Sequence, residues 1–222
     1  MMLSLGILLL VIAVILITSF RRAPGIGVMV ALVIIGFTIW FNGDGLVRLG
    51  FFSPPNWAST IVWSIFFGLL IQILSTLVLE PFSDKVTKNT TDHSAFEGLR
   101  GSLKSFLLML VVVWIVAAFV EEIIFRGYMM GTITVLLGDS KSVTAISLIG
   151  TSVIFGLTHW YQSKSGALST GVIGFVLGIL FVASGYNLWL PILTHGFIDT
   201  FGLFLIYTNL DKALQERVQI FK

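Results

Sequence analysis

The chain contains no cysteine among its 222 residues. Disulfides, thiolate nucleophiles and cysteine-based metal centres are therefore excluded. Charge is almost as scarce. Asp, Glu, Lys and Arg make up 11% of the residues, less than half of the roughly one quarter usual in soluble domains. Hydrophobic residues supply 56%, and the mean hydropathy is +1.01. Such a chain cannot cover a water-facing surface and needs lipid around it. The net charge of +2 is too small to argue for a nucleic-acid partner. No internal repeat or low-complexity tract is apparent.

What is present is a series of apolar segments, at about 1–20, 24–42, 58–79, 104–124, 142–160, 167–185 and 188–208. Each is close to the roughly 20 residues needed to cross a bilayer. The fold class expected is all-α, a polytopic membrane helix bundle of about seven to eight transmembrane helices. One membrane domain spans 1–222, with N-terminal helices over 1–80, a polar loop over 80–103 and a core over 104–208. Residues 1–20 lack a basic stretch ahead of the apolar run, and Arg21 and Arg22 follow it. That order predicts a retained span instead of a signal peptide.

Basic residues orient the bundle. With the N-terminus outside, the inner segments hold Arg21, Arg22, Lys85, Lys88, Arg100, Lys104, Lys164, Lys212, Arg217 and Lys222, whereas the outer ones hold Arg48 and Lys141. The expected location is a cell membrane, crossed several times, with the C-terminus cytoplasmic and its tail from Asp211 forming a short interfacial helix. The fourth segment complicates the count, because its apolar pattern runs on to Leu137. A helix over 104–138 spans about 50 Å at 1.5 Å per residue, against a hydrocarbon core of roughly 30 Å. It must project, bend or break. Gly127 and Gly131 are the expected break points, with a re-entrant piece at 128–138 as a partial eighth span.

Three groups of ionisable residues fall inside apolar helices: Glu121, Glu122 and Arg126; His159, at a segment end; and His195 with Asp199. An ionised side chain at mid-bilayer costs at least about 2.5–3.5 kcal/mol, so such residues face the bundle interior, find partners and mark function. Glu122 and Arg126 are four apart and share a helix face. Glu121 is rotated about 100° away. This predicts a division of labour, with Glu122 and Arg126 as support and Glu121 free for chemistry. His195 and Asp199 also share a face, as do Phe155 and His159. Each group has a plainer reading: a structural ion pair, an interfacial histidine beside Trp160 and Tyr161 in an aromatic belt, and an inter-helix latch. The convergence of three helices favours the functional one.

Several protease patterns are missing: His-Glu-x-x-His, an aspartyl pair with Gly-x-Gly-Asp, and a serine in a nucleophile setting. The set left is Glu121, His159, His195 and Asp199. A carboxylate in low dielectric can act as general base on water, with an imidazole to orient it. Donors opposite can stabilise an oxyanion. Alternatively, Glu121, His159 and His195 form a donor set for a divalent metal such as zinc, with an open position for water. Either scheme hydrolyses an amide bond.

Glu-Glu-x-x-x-Arg at 121–126, Phe-x-x-x-His at 155–159 and His-x-x-x-Asp at 195–199, in that order on successive apolar helices, with Leu-Trp-Leu-Pro leading into the last, resemble the CAAX protease and bacteriocin-processing (CPBP/Abi) family of membrane proteases. The type II CAAX prenyl endopeptidase belongs to that family. The resemblance covers about 104–208. It implies an intramembrane endopeptidase acting on membrane-associated or lipid-modified peptides. It assigns water activation to Glu121 and His159, an oxyanion-stabilising pair to His195 and Asp199, and support to Glu122 and Arg126. The family has been described both as metalloproteases and as glutamate-dependent proteases. Asp199 departs from the pattern, since prenyl-processing members typically carry Asn there. An ionised Asp repels an oxyanion.

Other functions use the same residues differently. A haem protein would take His159 and His195 as axial ligands but leaves the Glu-Glu-x-x-x-Arg motif unexplained. A proton-coupled transporter would relay through Glu121 and Asp199, yet the expected inverted repeats are not found. A non-catalytic immunity or scaffold protein on a protease fold has no need of intact motifs.

Overall fold

The computed structural model describes residues 2–43 and 45–219, with side chains over 4–43 and 45–214. Helices α1 (Met2–Phe20) and α2 (Pro24–Asn42) pack as a pair joined at Arg21–Ala23. Pro24 opens α2, and a left-handed Gly43 closes it by donating to Ile39 and Trp40 carbonyls. Then follow α3 (Trp57–Thr87), α4 (Leu103–Leu137), α5 (Lys141–Thr158), α6 (Ser163–Ala183), α7 (Trp189–Tyr207) and α8 (Leu210–Gln219). Side-chain caps mark three starts. Asn56 accepts from Ser59 N, Ser102 from Ser105 N and Ser140 from Val143 N.

Among the described residues six helices, α2 to α7, are long and apolar enough to cross a membrane, and the shorter apolar stretch Ser4–Phe20 in α1 joins them. The protein is an all-α, multi-pass membrane bundle. Large side chains such as Ile61, Val62, Leu108, Val111 and Ile149 point outward, where lipid tails cover them. Inside, Ile124, Phe125, Met129, Phe155 and Leu188 are buried in one cluster. Helix α5 packs along α6, and α3 along α7.

Two expectations are corrected. The helix α4 does not break at Gly127 or Gly131, and the piece at 128–138 is its C-terminal end up to Leu137, not a re-entrant span. Two π-turns, Val113–Glu121 and Ile123–Met130, absorb the adjustment instead. The polar loop expected from 80 starts only after Thr87, because α3 continues through Pro81. A π-turn at Ser75–Leu79 lies just before that proline. Proline lacks the N–H that would close an ordinary turn, so the local widening lets the helix carry on.

The remaining connection, 88–102, contains a short 3₁₀ turn, Ser94–Leu99. It is tied down at several points. Asp92 N donates to Gln162 O at 2.8 Å, and Thr91 Oγ1 meets Ser165 Oγ at 3.2 Å. Arg100 grips Asp211 of α8 through both terminal nitrogens at 2.8 and 2.7 Å and reaches the Ile206 carbonyl at the end of α7. The helix read in the tail is thus fastened through its first turn.

Candidate active site

Glu122 is fully buried and anchors the site. Its Oε1 accepts from Arg126 Nη1 at 2.6 Å and from His195 Nδ1 at 2.9 Å. Arg126 also donates through Nη2 to the Gly174 carbonyl of α6 at 2.6 Å, and its guanidinium lies 4.8 Å from the centre of the Phe155 ring. One ion pair therefore ties α4 to α5, α6 and α7. Gly174 permits this approach, since a Cβ there would sit 2.7 Å from the Phe155 ring. The expected Glu122–Arg126 pairing on one face is present. His195 is an additional partner that spacing along the chain could not reveal.

Glu121 and Glu122 stand where the two π-turns of α4 meet. Wide turns of this kind are frequent at functional sites. Here the two carboxylates part company. Glu122 enters the ion-pair network through Oε1 and Glu121 faces the cavity, while Oε2 of each is buried without a hydrogen-bond partner among the described residues. A buried acceptor left unpaired is costly and calls for a functional reason.

Helices α5 and α7 run the same way in chain order, with His159 at the end of one and His195 near the start of the other, so their approach needs explanation. Helix α5 stops at Thr158, and the turn Trp160–Gln162 is short and recessed. His159 folds back over its own last turn, with Nδ1 2.9 Å from the Phe155 carbonyl. Phe155 bridges the gap, its ring centre 4.9 Å from that of His159 and 6.0 Å from that of His195. Close packing of α5 on α6 at Gly156 helps, because a Cβ there would meet the Ala167 carbonyl at 2.5 Å. A carbonyl oxygen only accepts, so Nδ1 of His159 carries the proton. In the neutral ring, Nε2 then keeps its lone pair.

Glu121, His159, His195 and Asp199 line one cavity of about 350 Å³ between the helices. Asp199 Oδ2 stands 3.8 Å from His195 Nε2, close enough for attraction but beyond a hydrogen bond. His195 is thus bracketed by carboxylates at both ring nitrogens. Tyr161 and Gln162 line the same space. The sequence offered Tyr161 only as a belt aromatic beside His159, and its part in the cavity depends on the recessed turn.

Among the described residues, no group of three or more His, Asp or Glu side chains is arranged to hold a metal ion. Nδ1 of His195 is committed to Glu122, and Nδ1 of His159 to a backbone carbonyl. These bonds leave Nε2 of each ring as the nitrogen that would meet an ion, the usual orientation of a ligating histidine.

The cavity continues to a polar end lined by Glu80, Thr91, His93 and Asp211. His93 Nε2 lies 3.5 Å from Glu80 Oε2. The hydrogen bond to Glu80 raises the pKa of His93 above its usual 6.5; burial opposes this, and the fields of Glu80, Asp211 and Asp92 add to it. A folded-state pKa raised above the unfolded value stabilises fully below about pH 6.5 and is lost as pH climbs through the folded value. The thermal midpoint is therefore expected to fall as pH rises from 6 towards 9. His93→Gln should flatten that slope, and an unchanged slope in the variant would refute the assignment.

Residues 103–201 match the family model described as Rce1-like, type II CAAX prenyl endopeptidase Rce1-like. Comparison with curated proteins finds no match, and neither does comparison with solved structures. The matched region opens at the start of α4 and ends two residues beyond Asp199, so it takes in Glu121, His159, His195 and Asp199 but not Glu80, His93 or Asp211. Residues 103–201, just under half of the chain, are thus similar to the Rce1-like type II CAAX prenyl endopeptidase domain.

Proposed function

We propose that this protein is an intramembrane endopeptidase in which Glu121 and His159 activate a water for attack on the peptide carbonyl of a membrane-associated or lipid-modified substrate. The observation that carries the reading is the unpaired, buried Glu121 oxygen beside a cavity that also holds His159, His195 and Asp199. Glu121 takes a proton from water as the hydroxide adds to the carbonyl carbon. His159, through Nε2, orients that water. His195 and Asp199 border the side where the carbonyl oxygen gains charge. The tetrahedral species then collapses, the C–N bond breaks, and the proton held by Glu121 passes to the leaving amine.

Asp199 is the weak member as an oxyanion partner, since it brings negative charge. Its position suits it to act on His195, as an acceptor facing Nε2. Glu122 and Arg126 fix the other face of the ring. The basic residues of the 80–104 and 209–222 segments support a cytoplasmic placement of the cavity's polar end, with the N-terminus outside.

The test is cleavage of an internally quenched peptide bearing a farnesylated cysteine followed by three residues. His159→Ala should cut kcat by roughly 10²-fold or more in a protein that keeps its thermal midpoint. A chelator should leave the wild-type rate unchanged, because no step here runs through a metal. Cleavage by the His159 variant at the wild-type rate, or no cleavage by the wild type, would sink the reading.

A further inference from the structure

The site proposed above is rich in acceptors and short of donors. Glu121 and Asp199 accept only. His159 offers the Nε2 lone pair, since its Nδ1 proton goes to the Phe155 carbonyl. The Nδ1 proton of His195 goes to Glu122, and Asp199 faces its other nitrogen. An amide hydrolase needs the reverse on one side of the carbonyl, where developing negative charge must meet N–H or O–H groups. The catalytic set leaves that side under-supplied.

Tyr161 brings a hydroxyl donor to the same space. It lines the cavity. Its ring lies 5.8 Å from the His159 ring at an interplanar angle of 33°. Its hydroxyl accepts a hydrogen bond from Gln162 Nε2 at 3.1 Å, and no acceptor for its own proton exists among the described residues. The carboxylates of Glu121 and Asp199 are both within electrostatic reach of that hydroxyl. Gln162 is itself held. Its backbone N donates to the His159 carbonyl at 2.9 Å, its carbonyl accepts from Asp92 N, and Gly166 packs against its side chain. The phenol is thus oriented by a fixed amide, with its proton unclaimed.

We infer that Tyr161 is a further catalytic residue, whose O–H donates a hydrogen bond to the carbonyl oxygen of the scissile bond and holds it as that oxygen becomes an oxyanion. No proton is transferred from the phenol: the bond shortens as charge builds and relaxes when the intermediate collapses. This assignment rests on the protease reading. It also explains how the site works with a carboxylate at position 199, because Tyr161 supplies the donor that Asp199 cannot.

Tyr161→Phe keeps the ring against His159 and removes one oxygen. With the farnesylated peptide, kcat should drop by about 10²-fold, in line with the loss of one oxyanion donor, while KM and the thermal midpoint hold. A phosphinate peptide, tetrahedral and anionic at the scissile position, should lose affinity by a similar factor. The cleaved peptide product should bind as before. Unchanged kcat, or a loss matched by a lower thermal midpoint, would overturn the role of Tyr161. Glu121→Gln run in parallel separates the two ideas. If it is inactive and Tyr161→Phe is fully active, only the tyrosine assignment falls. If Glu121→Gln cleaves like wild type, or nothing cleaves, the protease reading falls and takes the tyrosine with it.

Discussion

Glu121→Gln is expected to lower kcat by roughly 10²–10⁴-fold, the range a positioned general base contributes, without lowering the thermal midpoint. The amide has nearly the shape of the carboxyl group, so KM should stay close to wild type. Stability should hold because Glu121 Oε2 makes no hydrogen bond among the described residues. A residue kept for packing would show the opposite pattern, a folding defect with catalysis spared in the folded fraction. Removing a group required only as the bond is cut lowers kcat and kcat/KM together. A stable Glu121→Gln protein with wild-type kcat would dispose of the proposed chemistry at its first step.

The second large effect is expected at Arg126. The side chain is 2% exposed and its partner Glu122 fully buried. Arg126→Met fills most of the volume but leaves the Glu122 carboxylate with His195 alone and the Gly174 carbonyl without its donor. Removing one member of a buried pair typically costs about 3–5 kcal/mol, because the other charge is left uncompensated. We expect a loss of that size in denaturant unfolding from detergent, with activity falling as His195 loses its fixed anchor. The double variant Arg126→Met, Glu122→Gln should recover part of the stability, since no isolated charge remains, but not the activity. A single variant as stable as wild type would show that the pair contributes little to the fold.

These contrasting neighbours show what could be read along the chain. The helices were legible because apolar runs of bilayer length are a strong signal. So was the Glu122–Arg126 face, since it depends on separation within one helix. The segregation of Glu121 from Glu122 was expected from a rotation of about 100° per residue, and the structure does place them in different surroundings. The rest was hidden for particular physical reasons. A π-turn leaves no mark in hydropathy, so α4 looked too long to stay whole. The polar stretch from Glu80 looked like a loop, because the widening at Ser75–Leu79 that carries α3 onward has no signature of its own. The bond from His195 to Glu122 joins residues 73 positions apart, a separation at which no periodicity helps. Tyr161 was hidden by the recess of a three-residue turn.

The cavity that joins the buried acids to the polar end at Glu80 and His93 bears on kinetics as well as chemistry. Hydrolysis inside a bilayer consumes one water for every bond cut, and hydrocarbon delivers almost none. On the proposed reaction, the cavity shared by Thr91, His93 and Glu121 would make the 88–102 connection the side from which that water enters. Its fastenings to Gln162, Ser165 and Asp211 then do more than hold helices together. Under the proposed chemistry they would keep one end of the reaction irrigated while the remainder of the protein stays in oil.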